Sequence, residues 1–357
     1  MKNSHMSKLG DICSIRTGKL DSNAAVENGE YPFFTCAQET FRIDKFAFDT
    51  EAVLLGGNNA NGIFPLKYYQ GKFNAYQRTY IIESMDKEKV LNKFIYFSLR
   101  PVLAYFKSAS IGATTQFLTK PILDNLKINL PEIHNQKYIV DLLFTYDNLI
   151  DNNRKRIQLL EESARLLFRE WFVYFRFPGH QKVKIIDGIP DGWEKEKLSK
   201  IGYLNYGKSL VEETREEGDV KVYGSSGVVG VHSKYLVEGP GIIVGRKGNV
   251  GAIHWVNDSY WPIDTVYYIK REQSNLFLYL SLRTIGFINT DASVPGLNRD
   301  YAHSKTILVP TKDLLGMFLN QVNDIYNMVK ILTIQNQKLA QARDLLLPRL
   351  MSGAIEV

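Results

Sequence analysis

Gly245-Arg246-Lys247-Gly248-Asn249-Val250-Gly251 sets two cations and an amide among glycines, directly after the apolar run Gly241-Ile242-Ile243-Val244. Glycines let backbone N–H groups approach phosphates, while Arg246 and Lys247 neutralise phosphate charge. A guanidinium such as that of Arg246 can also fork onto guanine O6 and N7, and the Asn249 amide onto adenine. The matching stretch earlier in the chain, Gly56-Gly57-Asn58-Asn59-Ala60-Asn61-Gly62, carries Asn58, Asn59 and Asn61 where the later one has cations. Asn-Gly turn chemistry explains that stretch equally well. Loss of the cations predicts different base readout, or weaker phosphate contact, in the first half. A second pair of candidates is Thr114-Thr115-Gln116 with Lys120, matched by Asn298-Arg299. Hydroxyl, amide and cation groups suit phosphate and base-edge contacts, and they also suit capping of the segment that follows. Arg78 completes the set of candidate contacts in the first half.

Motifs for catalytic chemistry are nearly absent from the sequence. The sequence has no Asn-Pro-Pro-aromatic motif for adenine methylation and no Gly-x-Gly cofactor loop after a strand. Pro190-Asp191 with Asp219-Val220-Lys221 loosely mimics a nuclease metal motif, but so degenerate a pattern is common by chance. The six histidines show no metal-ligand spacing. Cys13 and Cys36 are too few for a disulfide framework. We therefore expect no catalytic residues and no metal site. The 357 residues are 45% hydrophobic and 23% charged, an ordinary globular composition of one large or two smaller domains. No apolar run reaches the length of a membrane span and no secretory signal is present, so a soluble, cytoplasmic protein is expected. The net charge of +6 is compatible with a polyanionic partner without demanding one. That excess is spread thinly along the chain, which predicts weak affinity for duplex DNA in the absence of partners.

The elements that must position these residues are written twice. Lys8-Leu9-Gly10-Asp11-Ile12 with Thr17-Gly18-Lys19 returns as Lys197-Leu198-Ser199-Lys200-Ile201 with Tyr206-Gly207-Lys208. Thr79-Tyr80-Ile81-Ile82 returns as Val266-Tyr267-Tyr268-Ile269, and the stretch from Asn92 to Arg100 as that from Asn275 to Arg283. Ile128-Asn129-Leu130-Pro131 returns as Ile307-Leu308-Val309-Pro310. Order is kept and the separation drifts slowly, as insertions would cause. Each half opens with a stretch rich in aromatic, Gly and β-branched residues. Runs such as Ala52–Leu55, Thr79–Ile82, Gly241–Val244 and Val266–Ile269 read as short strands bounded by Gly, Asn and Pro. The opening Met1–His5 is set aside, because Met6 also reads as a start.

A long helix is expected after Pro131 and another after Pro310. In the first, Ile139, Leu143, Tyr146, Ile150, Asn153, Ile157, Leu160, Ala164, Leu167 and Trp171 alternate in steps of four and three. In the second, Phe318, Val322, Ile325, Val329, Leu332, Asn336, Leu339, Arg343 and Leu346 do the same. That is a coiled-coil seam, although amphipathic helices packed on separate cores would also produce it. One polar residue interrupts each seam, Asn153 and Asn336. Opposed in an antiparallel pair, they bring Leu143 to Leu346, Ile150 to Leu339 and Trp171 to Phe318, so these asparagines are expected to set the register. Helices of that length run roughly 50 Å, which predicts two similar globules held apart by about one to one and a half turns of duplex. Two half-sites on DNA, or a ruler for another repeating polymer, would fit that spacing.

This plan resembles the specificity subunit of type I restriction–modification enzymes. The likeness is carried by Leu159-Leu160-Glu161 and by Leu166-Leu167-Phe168-Arg169-Glu170-Trp171-Phe172-Val173 followed by Phe175-Arg176-Phe177-Pro178-Gly179. It continues in Ile189-Pro190-Asp191-Gly192-Trp193-Glu194, in Leu345-Leu346-Leu347-Pro348-Arg349-Leu350-Met351-Ser352-Gly353, and in the stretches Ser110 to Leu118 and Ser293 to Leu297. The resemblance implies an α+β chain of four segments. Target-recognition domain 1 (1–134) is followed by helix 1 (135–180), target-recognition domain 2 (181–313), and helix 2 with the tail (314–357), the helices antiparallel. It implies a chain without catalysis or cofactor of its own, each domain reading half of a bipartite asymmetric site on double-stranded DNA. Two methyltransferase subunits, carrying S-adenosylmethionine, and through them nuclease/translocase subunits, are the implied partners. The helices would set the spacer and dock those subunits, with Phe168, Trp171 and Phe172 as candidate docking residues; packing on the adjoining domain is the competing role for these rings. Arg154-Lys155-Arg156 is a solvated face, a DNA-facing stripe or a docking surface. A single-chain modification or restriction enzyme with an unrecognised active site, and a coiled-coil scaffold for proteins, are the rival functions.

Overall fold

The computed structural model describes residues 4–59, 64–109, 116–289 and 296–355. The chain divides into two compact units, Met1–Asn152 with Gln335–Val357, and Asn153–Ile334. Four sequential segments were expected, with the helices as segments of their own. Instead the long helices Ile133–Phe172 and Lys312–Ser352 each contribute one part to either unit. The reason is burial: the apolar face of each helical part completes the core of the unit it belongs to.

In the first unit a six-stranded sheet runs in the order Cys13–Thr17, Thr79–Ser84, Phe48–Gly56, Leu66–Ala75, Tyr31–Phe34, Phe41–Ile43. All pairings are antiparallel except that of Tyr31–Phe34 with Leu66–Ala75. Val53, Leu55 and Ile82 pack with Phe94, Ile95 and Phe97 of the helix Asn92–Ala109, and with Ile139, Leu143, Leu347 and Leu350 of the long helices. On the other face Leu54, Phe73 and Ile81 form a smaller core with Phe34. Burial on both faces explains why the central strand reads as a continuous Ala-Val-Leu-Leu run rather than an alternating one. His5–Lys8 pairs antiparallel with Lys127–Leu130, so His5, set aside above, is part of a ladder.

The second unit has the same strands in the same order, but they form two sheets. Asn205–Tyr206, Val266–Ile269, Gly241–Gly245 and Ile253–Val256 make one; Tyr260–Pro262, Val220–Gly224 and Gly227–His232 make the other. The strand continuous over Leu66–Ala75 is here interrupted by the turn Asn257-Asp258-Ser259. Glu194–Lys197 pairs with Thr306–Val309, repeating the terminal ladder of the first unit. The strands expected at Ala52–Leu55, Thr79–Ile82, Gly241–Val244 and Val266–Ile269 are all present.

Every expected seam position in both long helices is buried or half-buried. In the first unit Asn336 Nδ2 donates to Ile150 O (3.3 Å), and Arg343 pairs with Asp147. In the second unit the rings of Trp171 and Phe318 meet at 5.7 Å. Within each unit, residues late in one helical part meet residues early in the other, which is antiparallel pairing. Asn153 is buried, 7% exposed, as a seam position requires.

Phe168, Trp171 and Phe172 are buried among residues of their own unit. Phe172 lies 4.9 Å from Phe277, 4.7 Å from Phe318 and 5.7 Å from Trp193 between ring centroids. With exposures of 5–8%, nearly all the surface of these rings is spent on the core of their own unit, the packing role that competed with docking. The helix end carries so many aromatics because it plugs an aromatic core.

Candidate nucleic-acid interface

The structure brings together the two candidate stretches of each half, which lie far apart in sequence. In the first unit Asn58–Asn59 pairs antiparallel with Gln116–Phe117. Gly57 N–H donates to Arg78 O and Leu118 N–H donates to Gly57 O, both at 2.8 Å. Tyr80 Oη then donates to Leu118 O at 2.9 Å. A side chain at position 57 would put its Cβ 2.8 Å from Arg78 O and 2.9 Å from the Tyr80 ring, so this close approach requires glycine.

The second unit repeats that frame bond for bond. Arg246 N–H donates to Thr265 O (2.9 Å), Leu297 N–H to Arg246 O (2.9 Å) and Tyr267 Oη to Leu297 O (2.9 Å). Lys247 bridges Gly296 in antiparallel fashion. The glycine requirement moves to Gly245, whose Cβ would fall 2.1 Å from Asn249 O. Gly248 and Gly251 hold φ of +76° and +77°, turning the Arg246–Val250 loop back on itself.

What hangs on the common frame differs. In the first unit a cleft of about 410 Å³ is lined by Thr17, Gly57, Asn58, Gln77, Arg78, Tyr80, Leu118 and Thr119. Arg78 is exposed and Asn58 half-buried. Lys120 is held by Asp124 through two 2.8 Å bonds, which lowers its value as a phosphate contact. Thr114, Thr115 and Asn61 lie outside the described residues. Asn59 and Gln116 are placed by their backbone pairing alone.

In the second unit the guanidinium of Arg246 lies 5.1 Å from the centre of the Tyr206 ring, and that of Arg299 4.7 Å from the same ring. Arg299 also lies 5.8 Å from the Tyr203 ring. Arg246 Nη1 donates to Asp264 O (3.0 Å), fixing one edge of its fork. Lys247 and Asn249 are exposed. Burial raises the Tyr267 hydroxyl above the usual tyrosine range, and its bond to Leu297 O then keeps it a donor. Asn298 takes the capping role: its Oδ1 accepts from Tyr301 N–H at 3.0 Å.

Two arginines flanking one ring give a rigid cationic surface, since stacking restrains guanidinium planes without consuming all their donors. Such a surface suits base edges and phosphates. Tyr203 and Tyr206 were missed in the sequence. A signal existed, because Tyr206 replaces Thr17 in an otherwise matched Gly-Lys stretch. Its meaning needed Arg299, nearly a hundred residues on.

Among the described residues no cluster of three metal-ligating side chains occurs, and no helix is long and apolar enough to cross a membrane. The sequence matches the family described as Type I restriction modification DNA specificity domain over residues 1–162 and 190–294. It is 37% identical over 172 residues to the type I restriction enzyme EcoDI specificity subunit of Escherichia coli, covering 48% of this chain and 37% of that protein. It is 25% identical over 318 residues to the MjaIX specificity subunit of Methanocaldococcus jannaschii, covering 76% of this chain and 71% of that protein. A solved type I restriction–modification S subunit from M. genitalium superposes with a TM-score of 0.63 at 19% identity, covering 98% of this chain and 96% of that one, and so shares the fold. The family match spans well over half the chain, and this chain belongs to the type I restriction–modification DNA specificity family.

Proposed function

We propose that this chain is the DNA-recognition and scaffolding subunit of a type I restriction–modification complex, acting in the cytoplasm. Each unit reads one half of a bipartite, asymmetric site on double-stranded DNA. The chain performs no catalysis. Adenine methylation, with its S-adenosylmethionine, belongs to two methyltransferase subunits docked on the helices, and nuclease/translocase subunits join through them. The observation that carries this reading is one backbone frame, built twice, bearing different side chains. A repeated frame gives each unit the same approach to DNA, and unlike side chains give unlike half-sites. Candidate contacts are Asn58, Arg78 and Gln77 in the first unit, and Arg246, Lys247, Asn249, Arg299 and Tyr206 in the second. The Asn153 and Asn336 seam positions are proposed to fix the helix register and with it the spacer.

Methylation mapping in cells carrying this chain with its partner subunits tests the proposal. A gapped, asymmetric motif is expected, and Arg246→Ala is expected to relax or change one half of it while the other half stays intact. No motif, or a continuous palindrome, would overturn the reading.

A further inference from the structure

The repeated helix stretch ending in Arg100 and in Arg283 exposes an imbalance between the units. In the first unit Arg100 Nη2 donates to Tyr96 Oη (2.6 Å), and Nη1 lies 3.4 Å from Asp147 Oδ2. Asp147 also pairs with Arg343, so one internal carboxylate serves two guanidiniums. In the second unit Arg283 Nη1 donates to the matching Tyr279 Oη at 3.3 Å. Aligning the two helical seams, however, sets Tyr326 where Asp147 stands and Ala164 where Arg343 stands. The arginine was kept and its carboxylate was not.

Arg283 instead lines an open pocket of about 270 Å³ with Arg165, Arg169, Phe168, Val173, Leu280 and Thr284. Glu162 hydrogen-bonds to Arg165, and Arg169 donates to the Tyr174 hydroxyl. Three cations therefore face one carboxylate. Beside the pocket the helix carrying Arg165 and Arg169, with the residue just after its end, shows a second apolar row outside the seam: Leu159, Leu166 and Val173, seven residues apart and 70%, 46% and 42% exposed. Apolar residues at that spacing are a packing face for another helix.

We propose that the Arg165–Arg169–Arg283 pocket receives an Asp or Glu side chain from the docked methyltransferase subunit, carried on an amphipathic segment whose apolar residues cover Leu159, Leu166 and Val173. This rests on the reading above that the helices dock such a subunit. A protein carboxylate fits better than a DNA phosphate because a phosphate backbone would leave that apolar row in water. It also fits the precedent in the other unit, where the matching arginine takes a carboxylate. The consequence is an asymmetry: docking depends on an acidic residue in one half of the molecule, while the other half satisfies its arginine internally.

The test mixes the full chain with its methyltransferase subunit and measures association by calorimetry at several salt concentrations. Arg283→Gln with Arg169→Gln is expected to weaken association about tenfold or more and to flatten its salt dependence. A second measurement needs no substitution. Modification of Arg165, Arg169 and Arg283 by an arginine-selective glyoxal, read by mass spectrometry, should fall when the subunit is bound. Unchanged affinity or unchanged labelling of these arginines would overturn the proposal. So would loss of duplex binding by the variant chain alone with subunit association intact, which would reassign the pocket to phosphate. Failure of the unsubstituted chain to associate at all would instead overturn the functional reading on which the proposal stands.

Discussion

The two units thread matching strands in the same order, yet one forms a single six-stranded sheet and the other splits into sheets of four and three. The split falls at Asn257-Asp258-Ser259, which interrupts the strand matching Leu66–Ala75. It leaves the repeated backbone frame untouched, because that frame hangs on Thr79–Ser84 and Phe48–Gly56 in one unit and on Val266–Ile269 and Gly241–Gly245 in the other. Edge strands vary while the central pair that carries the loops does not. The units also anchor their helical parts differently. The second fills the space with rings of Phe168, Trp171, Phe172 and Phe318, whereas the first uses Leu347, Leu350 and Met351 with the half-buried Arg100–Asp147–Arg343 set.

Substitutions should separate these two kinds of anchor. Phe172→Ala opens a cavity in the aromatic core and is expected to cost about 3–5 kcal/mol, with little dependence on salt. Denaturant unfolding measures it, and a loss under about 1 kcal/mol would mean the ring cluster does not anchor the helix. Asp147→Ala leaves Arg100 without its carboxylate and Arg343 with only the exposed Asp344. The expected loss is about 2–3 kcal/mol, below that of a fully buried pair because each member keeps some contact with water. Adding Arg343→Leu should recover part of that loss; no recovery would show that the carboxylate acts by packing rather than charge.

The smallest effect distinguishes the units by pH. His303 Nε2 accepts from Leu204 N–H at 3.0 Å, and burial lowers its pKa below the ordinary 6.5. The unfolded chain therefore takes up the proton first, and stability falls as pH drops below 6.5, by less than about 1.4 kcal/mol per pH unit. The matching position in the first unit is Asp124, tied to Lys120. Thermal melts at pH 7.5 and 5.5 should show the drop, and His303→Gln should remove it. A drop that survives this substitution would place the titration elsewhere.

Patterning alone revealed the duplication, the central strands, both long helices and their seam. Each rests on local periodicity or on self-similarity, which need no knowledge of distant contacts. Both candidate contact stretches were also legible, since glycines with amides or cations are recognisable wherever they fall. What stayed hidden was long-range. The pairing of Asn58–Asn59 with Gln116–Phe117 and of Lys247 with Gly296, the gathering of Arg246 and Arg299 on Tyr206, and the Asn298 cap all join residues by position in space. Phe168, Trp171 and Phe172 show the limit most clearly. Their types and spacing fit a docking face and a core equally well, because hydrophobic burial is non-directional and only the packed neighbours decide which surface a ring covers. The sequence by itself determined which elements exist and that they occur twice. Tertiary structure decided which side chains meet and which of them stay exposed.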